Sequence, residues 1–166
     1  LFTGTANTTV ANTVTETTII GTGIGSATLP ADFLTAGKSI RVRVSGAFST
    51  TGTPLLTFRF RFGGVAGVVI CSAAVVTPLN AADRYFEADV VMTCRTTGGA
   101  GTAIGNGKAV VDGLITNVNP MASGTPTTAL TVDTTASKVL AVTVEWGVAN
   151  AGNTITSTNV SIEILN

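Results

Sequence analysis

The absence of histidine limits the chemistry that this 166-residue chain can perform. Ser-His-Asp and Cys-His catalysis both need an imidazole, and so does every His-ligated metal site. The two cysteines, Cys71 and Cys94, lack the CxxC spacing of a zinc knuckle. One alternative stays open, a calcium site built from loop carboxylates without EF-hand spacing: Asp32, Asp83 and Asp112. We predict no metal and no cofactor.

Both cysteines lie on the apolar side of an alternating segment. Cys71 belongs to the run 69–73 and Cys94 to the run 90–94, where apolar residues recur at every second position. Cysteine is among the residue types most often buried, and no histidine or predicted helix N-terminus is close enough in sequence to lower a thiol pKa. We predict two buried, unreactive thiols, with a disulfide between the two strands as the alternative.

The nine acidic residues include one close pair, Glu87 and Asp89. A glycosidase needs two facing carboxylates, whereas this spacing puts both on the outer face of a single strand. Opposite charges on neighbouring strands contribute roughly 0.2–1 kcal/mol per pair. We therefore predict a structural charge ladder, not an active site, and no enzymatic activity. The candidate partners are arginines that alternate outward on other strands, either Arg59 and Arg61 or Arg41 and Arg43.

Two aromatic residues receive opposite predictions. Tyr85 alternates with Glu87 and Asp89 on the outward set, so these three residues are the best candidates for a surface contact with a ligand or partner. Trp146 alternates with the inward set of its own segment, which predicts a place in the core.

The segment from Ser39 to Phe62 predicts the centre of the fold. It contains two runs in which apolar and polar residues alternate strictly, separated by the polar stretch 50–54. Period two is typical of a half-buried antiparallel strand, and a short polar stretch with Gly and Pro is typical of a turn. We expect a β-hairpin here, with its arginines outside and its phenylalanines inside.

The remaining segments extend this pattern over most of the chain. Similar alternation recurs at 84–95, 139–148 and 154–165, and no segment shows a sustained helical period. About nine or ten strands separated by turns predict an all-β antiparallel β-sandwich without a long helix. We assign residues 10–166 to this single domain, and residues 1–9, which are polar and rich in Thr and Asn, to an N-terminal arm or linker.

The overall composition favours assembly over binding to a charged polymer. Charged residues make up 11% of the chain against roughly 25% in average soluble domains, and the formal net charge is zero. Without a basic surplus we expect no nucleic-acid partner, and without an apolar run of 18 residues we expect no membrane insertion. The first residues lack the pattern of a signal peptide and begin at Leu1, which suggests a processed chain or a piece of a longer one.

Three stretches resemble a β-rich module of tailed-bacteriophage virion proteins. They contain TLPADFLTAGKSIRVR, the MTCRTTG at 92–98 and the closing VEWG…NTIT, and the resemblance covers most of residues 16–165. Such modules are jelly-roll domains on fibres, spikes and head decorations, and they usually assemble as trimers. Together with the number of strands, the resemblance implies a jelly-roll sandwich and a homotrimer. It brings no catalytic residues with it.

The resemblance implies a non-enzymatic accessory protein on the surface of the phage particle. A capsid decoration (cement) protein is the leading expectation, with the major capsid protein or other virion proteins as partners besides its own copies. The alternative is a fibre or spike knob that binds a host-surface carbohydrate. An enzyme acting on polysaccharide is the third hypothesis, disfavoured by the lack of histidine and of a buried acid pair.

Overall fold

The chain folds into an antiparallel β-sandwich, as the alternating segments predict. A computed structural model describes residues 1–112, 118–122 and 127–166, with the backbone alone at 118–122. Within these ranges no residue is helical, and no helix could therefore span a membrane. Fourteen strands are present, more than the expected nine or ten, because five of them are only two or three residues long.

The strands have the following bounds in chain order: β1 Phe2–Gly4, β2 Thr8–Ala11, β3 Thr17–Thr18, β4 Gly23–Gly25, β5 Thr28–Leu29, β6 Ser39–Ser49, β7 Leu55–Phe62, β8 Val68–Val76, β9 Arg84–Thr96, β10 Gly101–Val111, β11 Val118–Ala122, β12 Leu130–Val132, β13 Lys138–Trp146 and β14 Thr154–Ile164.

Two layers make up the sandwich. Strands β10, β9, β6 and β14 are neighbours in one layer, which we call the β6 layer, and β13, β7 and β8 are neighbours in the other, the β7 layer. The rings of Phe58 on β7 and Phe86 on β9 meet across the interior with their centroids 5.8 Å apart. Strand β11 pairs with both β10 and β8, so it joins the layers along one side. The two prolines within 117–126 predict a loop there; β11 lies inside this stretch, and residues 117 and 123–126 are outside the described residues.

The opposite side of the sandwich is closed by residues 1–29, which we call the N-terminal lace. Strands β1 and β2 pair with β14 at the edge of the β6 layer, and β4 pairs with β1. Strands β3 and β5 pair with β13 at the edge of the β7 layer. The lace therefore passes back and forth between the two open edges and covers the unpaired backbone groups that an edge strand exposes.

The prediction of a free N-terminal arm at residues 1–9 is therefore wrong. Phe2 lies opposite Ile162 of β14 and its side chain is only 7% exposed. The sequence of residues 10–20, VANTVTETTII, predicts one continuous strand, and this prediction is also wrong, since Asn12 adopts a positive φ of 48° and the chain leaves β14 there. Short pairings with distant strands leave no periodic signal in the sequence, which explains why a polar, Thr-rich stretch resembled a linker.

The hairpin expected from Ser39 to Phe62 is also wrong, although both of its runs are strands. β6 pairs with β9 and β14, whereas β7 pairs with β8 and β13, so the stretch 50–54 crosses from one layer to the other. Alternation predicts which side chains are buried but does not say which strand is the neighbour. The apolar sides of both runs do face the core, as expected.

The core is filled by the inward sets of the alternating strands. Its largest fully buried side chains are aromatic: Trp146, Phe48, Phe58, Phe60 and Phe86. The prediction that Trp146 belongs to the core is confirmed. Each such side chain contributes roughly 1.5–3 kcal/mol by leaving water, so the hydrophobic contacts between the layers dominate the stability.

Cys71 and Cys94 are buried free thiols, as predicted, and the alternative of a disulfide is wrong. Burial raises the pKa of the Cys71 thiol to about 12 and also raises that of Cys94. Both sulfurs therefore stay protonated at neutral pH and act as small apolar groups in the core.

A glycine allows β8 and β10 to approach each other closely. A Cβ atom at Gly105 would lie 2.3 Å from Cγ2 of the buried Ile70. Glycines inside a strand, as at 105 and 107, suggest a β-bulge, but the register between β9 and β10 shifts at another place, between Thr102 and Ala103. Gly105 is thus required by side-chain packing across the interior.

Candidate functional site

The outer face of the β6 layer carries the charge ladder predicted for Arg41 and Arg43. Arg41 donates from Nε and Nη2 to the two oxygens of Asp89, at 2.9 and 2.5 Å. Arg43 donates from Nη2 to Oε2 of Glu87 at 2.7 Å. In the register of β6 and β9, Arg43 lies directly opposite Asp89, so both ion pairs are diagonal. The pairing fixes four charged side chains in one row across two strands.

Glu87 is the most fully engaged acid on this face. The hydroxyl of Tyr85 donates to its Oε2 at 2.7 Å, and Nζ of Lys108 lies 3.5 Å from its Oε1. Burial raises the pKa of Glu87, but the hydrogen bonds from Arg43 and Tyr85 more than offset this, and the net shift is downward. A carboxylate held ionised in this way is a poor general acid.

Tyr85, the predicted surface contact, has an exposed ring, with 46% of the residue accessible. Burial around its hydroxyl, followed by the hydrogen bond to the ionised Glu87, raises the pKa of Tyr85. The structure therefore brings Tyr85, Glu87 and Asp89 together on one face, as predicted. Of the three, Tyr85 alone presents a large accessible side chain.

A groove crosses this face beside the Arg41–Asp89 pair. Its volume is about 440 Å³, and it extends from the end of β14 over β6 and β9 to β10. The groove is lined by seven residues: Arg41, Asp89, Val91, Asn106, Gly107, Lys108 and Leu165. Sequence reasoning missed Asn106 and Leu165, because nothing in the alternation places them next to Arg41.

Arg59 and Arg61 form a separate network on the outer face of the β7 layer. The prediction that they could pair with Glu87 and Asp89 is wrong, because β7 has no contact with the outer face of β9. Arg61 donates to both oxygens of Glu16, from Nε at 2.5 Å and from Nη2 at 2.7 Å. Arg59 donates from one nitrogen, Nη1, to Oε2 of Glu16 at 3.0 Å and to Oε2 of Glu145 at 2.6 Å.

Glu16 is the centre of this second network and belongs to the N-terminal lace. Its carboxylate also accepts a hydrogen bond from the hydroxyl of Thr143 on β13. Burial raises the pKa of Glu16, but the hydrogen bonds from Arg61 and Thr143 and the charges of both arginines prevail, so the net shift is downward. The lace is thus attached to the β7 layer by a clamp that a lone glutamate in a Thr-rich stretch did not reveal.

One end of the sandwich carries a group of exposed apolar side chains, which we call the apolar end: Leu55, Val76, Leu79 and Val148. Leu55 and Val76 are direct partners on β7 and β8. The loops at this end are hydrogen-bonded to one another, for example from Thr77 to the carbonyl of Pro54 and from Thr51 to the side chain of Asn153. The exposed apolar residues are therefore presented by a rigid support.

The loop carboxylates considered for calcium have a conformational role. Asp32, Asp83 and Asp112 all adopt positive φ angles, of 57°, 48° and 71°, in the left-handed region that Asp tolerates better than most residues. Across the described ranges, no three Cys, Asp or Glu side chains come together as metal ligands would. These aspartates thus mark sharp turns between strands.

The fold and its faces define an antiparallel β-sandwich with ion-paired outer faces and one apolar end. Comparison with models of known protein families, with curated proteins and with solved structures gave no match for this chain. The functional argument therefore depends on the chain's own surfaces.

Proposed function

We propose that this chain is a non-enzymatic structural protein on the surface of a bacteriophage particle. In this proposal the sandwich is of the jelly-roll type, assembles as a homotrimer and attaches to the major capsid protein as a decoration or cement protein. The resemblance of residues 16–165 to virion modules supports a location on a phage particle, and the low content of charged residues supports association into an oligomer.

The apolar end is the single observation that carries the proposal of a binding role. Leu79 and Val76 are 68% and 67% exposed, and Val148 is 58% exposed. Large apolar side chains that are exposed on rigidly held loops and strand ends are typical of contacts between proteins. Because the loops beneath them are already hydrogen-bonded, docking a partner there would require little ordering of the backbone.

The ion-paired faces support a structural role over catalysis. Glu87 and Glu16 each accept hydrogen bonds from two or more donors and are held ionised. Catalytic carboxylates need environments that push their pKa values apart, with one acid kept protonated near neutral pH. Both networks lower the pKa of their central glutamate, so neither network provides a carboxylic acid that stays protonated near neutral pH.

The alternative, a fibre or spike knob that binds a host-surface glycan, is favoured by one observation. The outer face of the β6 layer carries a groove of about 440 Å³ that a ligand could reach, and Tyr85 is exposed on the same face. The two proposals place the functional contact on different surfaces, the apolar end for decoration and the β6 layer for the glycan, and variants can therefore separate them.

The proposal is tested on purified particles of the phage that encodes this chain. Peptide mass spectrometry should detect the chain in intact virions, and the isolated protein should rebind to particles that lack it and sediment with them. Sedimentation of the free protein should give the mass of a trimer. If the chain is absent from intact virions, the proposal is wrong.

A matched pair of variants tests the apolar end. Leu79→Ser combined with Val148→Ser should weaken sedimentation with particles by about tenfold or more, since exposed apolar contacts of this size contribute on the order of 1 kcal/mol each. Ile24→Ser is the control, because Ile24 is 75% exposed on the lace and lies outside the apolar end. Equal binding by both variants would show that the apolar end is not the contact surface.

A further inference from the structure

The groove on the outer face of the β6 layer has the size and rigidity of a ligand site. Its volume of about 440 Å³ falls within the range of roughly 300–1,000 Å³ that small-molecule sites occupy. Asp89 cannot swing away from it, because both of its oxygens are bound by Arg41. We propose that this groove binds a neutral sugar unit of a glycan.

The balance of charge on this face argues for a neutral ligand. In the ion-paired cluster around the groove, Arg41, Arg43 and Lys108 provide three positive charges, and three acids match them in number: Glu87, Asp89 and Glu163, which lies opposite Arg41 on β14. Arg95, the other exposed charge at an outward position of β9, lies four residues beyond Val91 near the end of that strand. With no surplus of either sign, the groove gains little from a ligand that carries its own charge.

The polar groups of the groove suit hydroxyl groups, which donate and accept hydrogen bonds at the same time. A guanidinium has five N–H donors, and Arg41 uses two of them on Asp89, which leaves donors for a ligand. Each oxygen of Asp89 keeps a lone pair, and the amide of the exposed Asn106 both donates and accepts. Fixed donors and acceptors side by side are what adjacent ring hydroxyls require.

The apolar part of the groove lining suits the C–H groups on the faces of a sugar ring. Val91 and Leu165 lie in the same groove as the Arg41–Asp89 pair. A pyranose ring presents hydroxyls along its edge and C–H groups on its faces, so it can satisfy both kinds of surface in one orientation. No stacking aromatic is needed for this contact, and Tyr85 is not part of the groove lining.

This inference deepens the glycan alternative given above and does not depend on the capsid role. The probes are an array of neutral and acidic oligosaccharides and, in solution, methyl glycosides of glucose, galactose, mannose and N-acetylglucosamine, with glucuronate as the charged counterpart. Amide chemical shifts of the whole 15N-labelled chain are followed during titration. We expect at least one neutral glycoside to bind at millimolar concentration, with shifts confined to the residues of β6, β9 and β10 around the groove and to Leu165 at the end of β14.

Three variants separate the groove from other surfaces. Asn106→Ala and Leu165→Ala remove exposed groove groups and should each weaken binding by about fivefold, as expected for one lost hydrogen bond or apolar contact. Tyr85→Ala should change the affinity less than twofold, because the hydroxyl of Tyr85 donates its hydrogen bond to Glu87, which does not line the groove. Unchanged folding of each variant is confirmed by its amide spectrum.

Three results would overturn the inference. The first is no binding of any neutral glycoside below about 10 mM. The second is binding of glucuronate in preference to all neutral sugars, which would contradict the argument from balanced charge. The third is loss of binding in Tyr85→Ala with retention in Asn106→Ala. None of these outcomes affects particle association through the apolar end, so the two proposals can fail separately.

Discussion

Replacing Glu16 with glutamine should weaken the attachment of the N-terminal lace to the β7 layer without changing the shape of the side chain. Glu16 accepts three hydrogen bonds from Arg59 and Arg61 and a fourth from Thr143. A glutamine can keep only part of this set, because its amide nitrogen is a donor facing other donors. Arg61 would then keep the carbonyl of Gly67 and at most one oxygen of the new side chain as partners.

The size of the effect follows from exposure and charge. The side chains of Glu16 and Arg61 are 17% and 15% exposed, so the pair is only partly screened by solvent. Hydrogen bonds to charged groups contribute about 1.5–3 kcal/mol each, and exposed ion pairs only 0–1 kcal/mol. For a partly exposed bidentate pair we expect Glu16→Gln to lower the free energy of unfolding by about 2–3 kcal/mol.

Glu145→Gln is the matched control on the same network. Glu145 pairs with Arg59 alone, and its side chain is 38% exposed. An exposed single ion pair contributes about 0.5 kcal/mol, so the free energy of unfolding of the control should be close to that of the wild type. Both variants make the same chemical change from carboxylate to amide, and the difference between them therefore reports the clamp.

The assay is urea unfolding followed by the fluorescence of Trp146, the only tryptophan, which is fully buried. The folded-state pKa of Glu16 is lowered, so the stabilisation is present above its ordinary value of 4.5 and is lost as the pH falls through the lowered value. The difference in the free energy of unfolding between the wild type and Glu16→Gln should therefore be largest at pH 7 and decrease in acid. If Glu16→Gln destabilises the protein no more than Glu145→Gln does, or if its destabilisation stays constant down to pH 3, Glu16 does not hold the lace as we infer.

Two further predictions concern the core. Gly105→Ala should lower the free energy of unfolding by about 1–3 kcal/mol, because the new methyl group meets Ile70, whereas Gly99→Ala, with open space around it, should have almost no effect; equal urea midpoints would contradict the close approach of β8 and β10. Cys71 and Cys94 should resist alkylation in the native protein and react only in denaturant, as judged by intact mass, and rapid labelling of either thiol under native conditions would contradict their burial.

Alternation in the sequence was sufficient to predict the β-sandwich and most of its core. The inward sets of β6, β7, β9 and β13 are where the pattern placed them, because one buried face imposes period two on any half-buried strand. In β14 the pattern holds for Val160 and Ile162, but Ile164, expected inside, is 43% exposed at the end of the strand. The same pattern predicted the outward Arg41 and Arg43 and their acidic partners on β9.

Neighbour relations and short strands could not be predicted in this way. The stretch 50–54 has the composition of a hairpin turn, yet it crosses between layers, because composition limits the local backbone and says nothing about distant pairing. Strands of two or three residues, such as β3 and β5, have no period to detect. The role of Glu16 depends on two strands that are distant from it in sequence, β7 and β13, and no local motif encodes it.

The N-terminal lace also determines when the fold can be completed during synthesis. Phe2 lies opposite Ile162 and Val10 opposite Ile155, so the first strands wait for the last one before they can pair. At roughly 5–20 residues per second, a ribosome needs on the order of 8–32 s to make the intervening chain. During that interval the sandwich lacks the apolar contacts that its last strand provides. The pairing of the first strands with the last is also slow, because contacts between residues far apart in sequence form slowly. We therefore expect the yield of native protein to be limited by protection of the nascent chain, more than by the stability of the finished sandwich.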